Sequence, residues 1–483
     1  MSDLTASSKN STSIMVRLSI MMFLQFWIWG SWFVSIPTYV GGLEHMGDSI
    51  FYCYGAIPIA AMIAPFFLGL IADRFFNTEK VLGVLFLLAG GALLMLPKIG
   101  ELTGSFVQTA AAVGTEGAKD FVAAKGYLEV EFLGSVWNKS TLFNWFILFH
   151  ALCYMPTLAL TASLSFKHLA DGSKQFPLVR LWGTFGWIFG AIALMAFNST
   201  DAAGKTIGGE ASSNQFLLAG GAAVLLGLFC FTLPKTPAPK KGEPIDLGAL
   251  FFVDVWKEFK NPSFFVFVFC SFLLCIPLQA YYAYLQNQMK LQGFINYASW
   301  KNAGTWLEAF MMFLMPFFFR RLGVKKMLLV GIGAWVVRYA LFPLAASQGI
   351  MANGISFTHP AFLLIIGGVL LHGICYDFFF VTGQIYVDQS TDIKIRGQAQ
   401  SMLIFFTQGV GMYIGAEFVN NKLFMNAFQA KDMGTAFKNA ANPEMLTHWS
   451  GFWWPLCGAA AAIFVIFLLF FKHKDKEGAE FTH

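Results

Sequence analysis

Two carboxylates stand where a lipid bilayer would make them costly. Asp377 lies in AFLLIIGGVLLHGICYDFFFVTGQIYV, residues 361–387, where His372 is the only other residue that readily carries a charge. An Asp at the centre of a membrane helix costs roughly 2.5–3.5 kcal/mol, so such residues face a bundle interior or a water-filled path and serve function. Glu308, in AGTWLEAFMMFLMPFFF, falls about ten residues into its apolar run, hence about 15 Å deep and near the bilayer midplane. A carboxyl at that depth suits a proton carrier, and the competing role is a structural hydrogen bond to a neighbouring helix. Arg180, in FPLVRLWGTFGWIFG, is followed by Thr184 and Trp187. The i, i+4, i+7 spacing puts a cation, a hydroxyl and a large aromatic on one helix face, although an Arg near a helix end also snorkels.

The pattern recurs at helical spacing. Gln279 and Tyr282 are three apart, Thr305 and Glu308 three apart, and His372 and Tyr376 four apart. Each pair can present polar and aromatic groups to one cavity, a combination that suits a flat heterocycle carrying hydroxyls. Aromatic stripes alone decide nothing in a chain that is 17% aromatic. Arg338 in AWVVRYALF and Glu417 in IGAEFVN are further intramembrane charges. Structural pairing or snorkelling accounts for both, and they stay outside the expected site.

The elements that must position these residues are membrane helices. The chain is 57% hydrophobic and 12% charged, with mean hydropathy +0.60, against roughly 25% charged residues in a soluble domain. Spans of about 20 apolar residues fall at 15–40, 50–72, 79–97, 140–166, 177–198, 214–233, 262–287, 298–319, 325–347, 359–386, 398–420 and 449–472. These twelve runs predict an all-α membrane protein and exclude a β-barrel, whose strands alternate over about ten residues. The first run is too long for a cleaved signal and reads as a retained span. Lys and Arg gather in alternate connections, including Arg74 and Lys80, Lys240 and Lys241, and Arg320 to Lys326, while 41–49 and 348–358 have none. The positive-inside rule then places both termini in the cytoplasm. The net charge of +5 is an orientation signal, with no basic face for a nucleic acid. The seven cysteines all fall within spans and show no disulfide or metal-ligand spacing. No metal or cofactor is expected.

The segment TLPKTPAPKKGEPIDLGALFFVDVWKEFKNP is a basic, Pro-containing linker that divides the chain into six-helix halves at 1–233 and 262–483, with 234–261 between them. If the halves are parallel repeats, the fourth and tenth spans correspond. They carry His150-Ala-Leu-Cys-Tyr154 and His372-Gly-Ile-Cys-Tyr376, and the first and seventh carry Leu24-Gln25 and Leu278-Gln279. Only the second His string is followed by Asp377. The long connections at 98–139 and 421–448 read as loops that could form short helices.

Gly69-Leu-Ile-Ala-Asp73-Arg74 after the second span resembles the loop signature of the major facilitator superfamily, with Arg320-Arg321-Leu-Gly-Val-Lys325-Lys326 at the equivalent place. In that signature Gly lets helices approach and Asp pairs with a basic group or a helix N-terminus to latch one conformation. Ordered matches extend the likeness over most of the chain: LQFWIWGSW from Leu24, CYMPTLAL from Cys153, FPLVRLWGTFGWI from Phe176, PFFFRRLGVKK from Pro316, AWVVRYALF from Ala334, YDFFFVTG from Tyr376 and IRGQAQSM from Ile395. Together they resemble the nucleoside:proton symporters of that superfamily, the bacterial nucleoside and xanthosine permeases. The resemblance implies that Arg180, Thr184, Gln279, Glu308, Tyr376 and Asp377 belong to the central cavity or the transport machinery. Trp187 and Tyr376 stand where the family can carry Phe. Tyr282 stands where an Asn is expected, Thr305 where a Gln is, and His372 where a Tyr is.

The expected function is nucleoside import by proton symport through alternating access, in the bacterial inner membrane and as a monomer. Substrate contacts are expected from Arg180, Thr184, Trp187, Gln279, Tyr282, Thr305, Glu308, His372 and Tyr376. Coupling or gating falls to Glu308, Asp377 and Arg180, with Arg180 as the ion-pair partner of Asp377 when the cytoplasmic side is closed and Glu308 as the better proton carrier. A facilitator or symporter of another small polar solute, such as a sugar or a purine base, is the alternative. His372 to Asp377 is also an H-x4-D string, the pattern of glycerolipid acyltransferases, but it lies within a span and no catalytic domain surrounds it.

Overall fold

The computed structural model describes residues 2–47, 49–67, 75–110, 125–170, 172–202, 204, 206–238, 248, 251–352, 354–392 and 395–473. Gly69, Asp73 and Arg74 lie outside the described residues. Long apolar helices dominate, because in a bilayer every backbone N–H and C=O must be satisfied within the segment. The described residues hold ten helices long and apolar enough to cross a membrane. In order they are Thr12–Gly41, Ser49–Phe67, Thr78–Glu101, Lys139–His168, Leu178–Phe197, Pro262–Leu291, Tyr297–Ala346, Pro360–Ser390, Arg396–Ala427 and Pro443–Phe470. Tyr297–Ala346 holds two of them, since its chain breaks at Gly323 with φ 68° and ψ 175°, a conformation open to glycine and strained for other residues. With the shorter Asn214–Cys230 the predicted twelve spans are complete, numbered here 1 to 12 in chain order.

Span 1 packs along span 5, span 3 along spans 4 and 6, span 8/9 along spans 10 and 12, and span 2 against span 11. The linker is pinned at both ends. The Thr236 N–H donates to Glu79 Oε2 at 2.9 Å, and the Thr78 N–H donates to the Thr236 carbonyl at 2.9 Å. Further along, Phe252 and Trp256 each place a ring 5.9 Å from an aromatic of span 11, Phe405 and Phe406 respectively.

One expectation fails. The 98–139 connection forms a three-stranded antiparallel sheet, Ser105–Ala110, Lys125–Phe132 and Ser135–Asn138, and not short helices. YLEVEF alternates apolar and polar residues with period two, the strand pattern. The 421–448 connection does form short helices, at Met433–Ala440 and Pro443–Met445.

Candidate functional site

Between the first six and last six spans lies a cavity enclosing about 1010 Å³ of empty space, the open solvent at its mouth included. Its wall takes in Arg180, Thr184, Trp187, Gln279, Tyr282, Thr305, Glu308, His372 and Tyr376. All nine substrate positions expected from the sequence therefore meet at one place.

Span 1 and span 5 supply an aromatic wall. Trp29 meets Trp187 edge-on at 5.5 Å, Phe33 lies 5.7 Å from Tyr282 across the cavity, and the Arg180 guanidinium sits 4.0 Å above the Phe26 ring. Span 7 supplies Gln279, whose side-chain oxygen and nitrogen are both buried without a hydrogen-bond partner. Buried amides are ordinarily satisfied; this one keeps its donor and acceptor free on the cavity wall.

Spans 8 and 10 cross tightly at Gly373. A Cβ there would lie 2.6 Å from the Glu308 backbone nitrogen, so only a glycine lets the two backbones approach. The crossing brings Glu308 Oε2 to 3.8 Å from His372 Nε2. On its other side His372 Nδ1 is 3.1 Å from an Arg338 guanidinium nitrogen. Arg338 is completely buried, with its guanidinium carbon 3.4 Å above the Tyr281 ring. It does not snorkel. The sequence reading left Arg338 outside the site, and the fold places it directly behind His372.

Lys301 was missed altogether. It lines the cavity, is buried, and donates to the carbonyls of Tyr281 at 3.2 Å and Tyr282 at 3.4 Å and to Gln286 Oε1 at 3.1 Å. It stands four residues past the start of its helix, where the depth argument that flagged Glu308 reads a boundary charge; only the tertiary packing shows it on the cavity wall. Asn302, also on the wall, donates to the Ile188 carbonyl at 3.3 Å and ties span 8 to span 5.

Asp377 stands apart from the cavity residues. It is fully buried, is absent from the cavity wall, and neither carboxylate oxygen has a hydrogen-bond partner. Arg180 lies in the electrostatic range of Glu308, Tyr376 and Tyr154, so the Arg180–Asp377 ion pair is not formed in this conformation. The reason is local. Tyr376 faces the cavity, and its neighbour Asp377 turns away within a π-helical stretch, Tyr376–Val381, a distortion frequent at functional sites.

The two sets of spans touch on the face opposite the termini. Tyr297 donates to the Thr38 hydroxyl. Glu210, from the connection between spans 5 and 6, accepts the Ala298 N–H at 3.2 Å, and burial raises the pKa of its carboxyl. Nearer the cavity the Tyr54 hydroxyl lies 2.9 Å from the Phe33 carbonyl and 3.0 Å from that of Tyr282.

A twelve-span bundle with a central polar and aromatic cavity defines a membrane transporter with the major facilitator fold. That fold is shared with the nucleoside transporter NupG at TM-score 0.70, with 24% identity over 95% of this chain and 100% of that one. The D-xylose-proton symporter is similar at TM-score 0.63, with 12% identity over 95% and 98%. The nucleoside H+ symporter family model matches residues 12–111 and 128–476, and the chain belongs to that family. Among its relatives, YegT of Escherichia coli K12 is 32% identical over 95% of this chain and 94% of its own length. The xanthosine permease of the same organism is 27% identical over 95% and 96%. These relatives are transporters and permeases, so the H-x4-D string is no acyltransferase site.

Proposed function

We propose that this protein imports nucleosides together with protons across the bacterial inner membrane, as a monomer with both termini in the cytoplasm. The observation that carries the reading is the convergence of Arg180, Thr184, Gln279, Glu308 and the aromatic residues Trp187, Tyr282 and Tyr376 on one wall. Aromatic faces suit a planar base, and the unpartnered Gln279 amide suits a base edge or a ribose hydroxyl. A buried polar group left unpaired discriminates strongly against solutes that cannot meet it. The relatives named as nucleoside and xanthosine permeases favour the same substrate class.

In this scheme the six-helix halves 1–233 and 262–483, joined by the linker 234–261, rock about the cavity. Glu308 takes a proton from the periplasm, substrate joins, and the neutralised cavity reopens inward. Each ligand drives the change only through its different affinity for the two states. Asp377 finds Arg180 once the cytoplasmic side closes, which gives its orphaned carboxylate a partner in that state alone. The Gly69, Asp73 and Arg74 loop latches the cytoplasmic side.

Uptake of labelled uridine and adenosine into cells and into proteoliposomes with a pH gradient tests the reading. Accumulation collapses with an uncoupler and in Glu308→Gln, while exchange of substrate across the membrane persists in that variant. Full accumulation in the presence of the uncoupler would reject proton coupling. Competition by free sugars or bases, without competition by nucleosides, would reject the substrate class.

A further inference from the structure

We infer that Arg338 is a positioning residue that fixes His372 as its Nε2–H tautomer, so that protonation of Glu308 releases a hydrogen-bond donor to an acceptor on the substrate. The inference rests on the proposed proton-coupled nucleoside transport for its functional half, and on the geometry of three side chains for its chemical half.

An arginine guanidinium has only donors. The 3.1 Å contact between Arg338 and His372 Nδ1 therefore requires Nδ1 to accept, which leaves the ring proton on Nε2. An imidazolium would set two donors against each other next to a permanent cation. The groups facing the ring come from every element around it: Arg338 from span 9, Lys301 and Glu308 from span 8, Tyr281 stacked at 5.4 Å and Tyr282 edge-on at 6.2 Å from span 7, and Tyr376 of its own span at 5.7 Å. The permanently charged Arg338 guanidinium opposes a second positive charge on the ring. Glu308, 3.8 Å from Nε2, is the carboxylate towards which the Nε2–H points.

The consequence is an ordered exchange. An ionised Glu308, 3.8 Å away, keeps the Nε2–H directed towards it by charge attraction. Once Glu308 takes its proton, the attraction falls and the N–H turns to a carbonyl or hydroxyl acceptor on the substrate, which raises affinity only in the protonated carrier. One proton goes onto the Glu308 carboxylate, and the imidazole neither gains nor loses one. The substrate selected is a nucleoside whose base or sugar carries an acceptor at this edge. Second-sphere partners that orient a histidine in this way are known from metal sites, where removing them costs 10–100-fold.

The test has two parts, on purified full-length protein. In the first, histidines are labelled with 15N, and the His372 signal is assigned by its loss in His372→Gln. The wild type shows the Nε2–H tautomer at neutral pH, and Arg338→Gln shifts it towards an Nδ1–H or imidazolium pattern. A wild-type Nδ1–H tautomer or imidazolium would overturn the proposal, and this measurement does not depend on whether an Arg338 variant folds or on any transport. In the second, uridine binding is measured from pH 5.5 to 8.5. Arg338→Gln weakens it about tenfold at low pH, near the loss of one hydrogen bond between neutral groups, and flattens its pH dependence. Arg338→Lys restores part of both. In His372→Gln, itself weakened but with an amide N–H in the Nε2 position, adding Arg338→Gln costs less than twofold. An undiminished tenfold loss in that background would show that Arg338 acts by another route. Failure of every variant and the wild type to bind nucleoside would sink the proposed substrate class and leave the tautomer result to decide the role of Arg338.

Discussion

The two His-x-x-Cys-Tyr strings occupy equivalent spans and do different work. His150 is fully buried, places Nδ1 3.1 Å from the Ala89 carbonyl of span 3, and stacks on Tyr154, whose hydroxyl donates to the Gln25 carbonyl at 2.6 Å. His372 also reaches back one span with Nδ1, but it meets the Arg338 guanidinium, and its Nε2 faces Glu308 on the cavity wall. The paired glutamines repeat the contrast. Gln25 donates to Thr157 at 3.2 Å, whereas Gln279 meets no partner. One copy ties helix to helix, and its repeat stands on the cavity wall. The motif sets reach and direction. The residue waiting on the neighbouring span, a carbonyl or a guanidinium, sets the role.

The second residue of each string gives the most severe way to break this comparison. Gly373 sits where any Cβ would strike the span 8 backbone, while its counterpart Ala151 already carries a methyl. Gly373→Val should abolish nucleoside uptake and lower the thermal midpoint, by driving Glu308 away from His372. If the variant transports normally, the tight crossing is not what assembles the site. Next in size, His372→Phe should reduce uridine affinity tenfold or more with protein yield unchanged. His150→Phe should do the reverse, costing about 1 kcal/mol of stability through the lost hydrogen bond to the Ala89 carbonyl while affinity per folded molecule holds. Equal affinity losses in the two variants would mean that the strings are not functionally divided. A smaller effect follows for Tyr154→Phe, about 1 kcal/mol from one lost hydrogen bond, read in a denaturation series. The mildest is Ala151→Gly, roughly 1 kcal/mol or less from helix propensity alone, with uptake unchanged.

Much of this division was legible in the sequence, and what was not has identifiable causes. The spans declared themselves because a bilayer demands long apolar runs, and the nine cavity positions did so because polar and aromatic residues recur at helical spacing. Span 11 was read as ending at 420, yet its helix runs to Ala427. Its extension is held by Phe424, which stacks on Tyr284 at 4.1 Å, a tertiary contact that no local pattern announces. Arg338 looked like a boundary or pairing charge because its partner, His372, is 34 residues away. Asp377 was legible as a buried gating charge but not by its surroundings: it is next to Tyr376 in sequence, and on a helix neighbouring residues point about 100° apart, so one lines the cavity and the other does not. The strands at 105–138 were missed for a different reason: a period-two alternation six residues long is faint beside spans four times that length.

The break at Gly323 carries one more implication. Spans 8 and 9 meet there almost without a connecting loop, so the helix bearing Glu308 and the helix bearing Arg338 form a stiff hairpin with no slack at its bend. An inserted residue at 323 would shift one arm of that hairpin against the other, so that the carboxylate and the guanidinium no longer met the same histidine. For anyone placing a tag, a cysteine probe or a circular break in this molecule, that bend is the connection to leave intact.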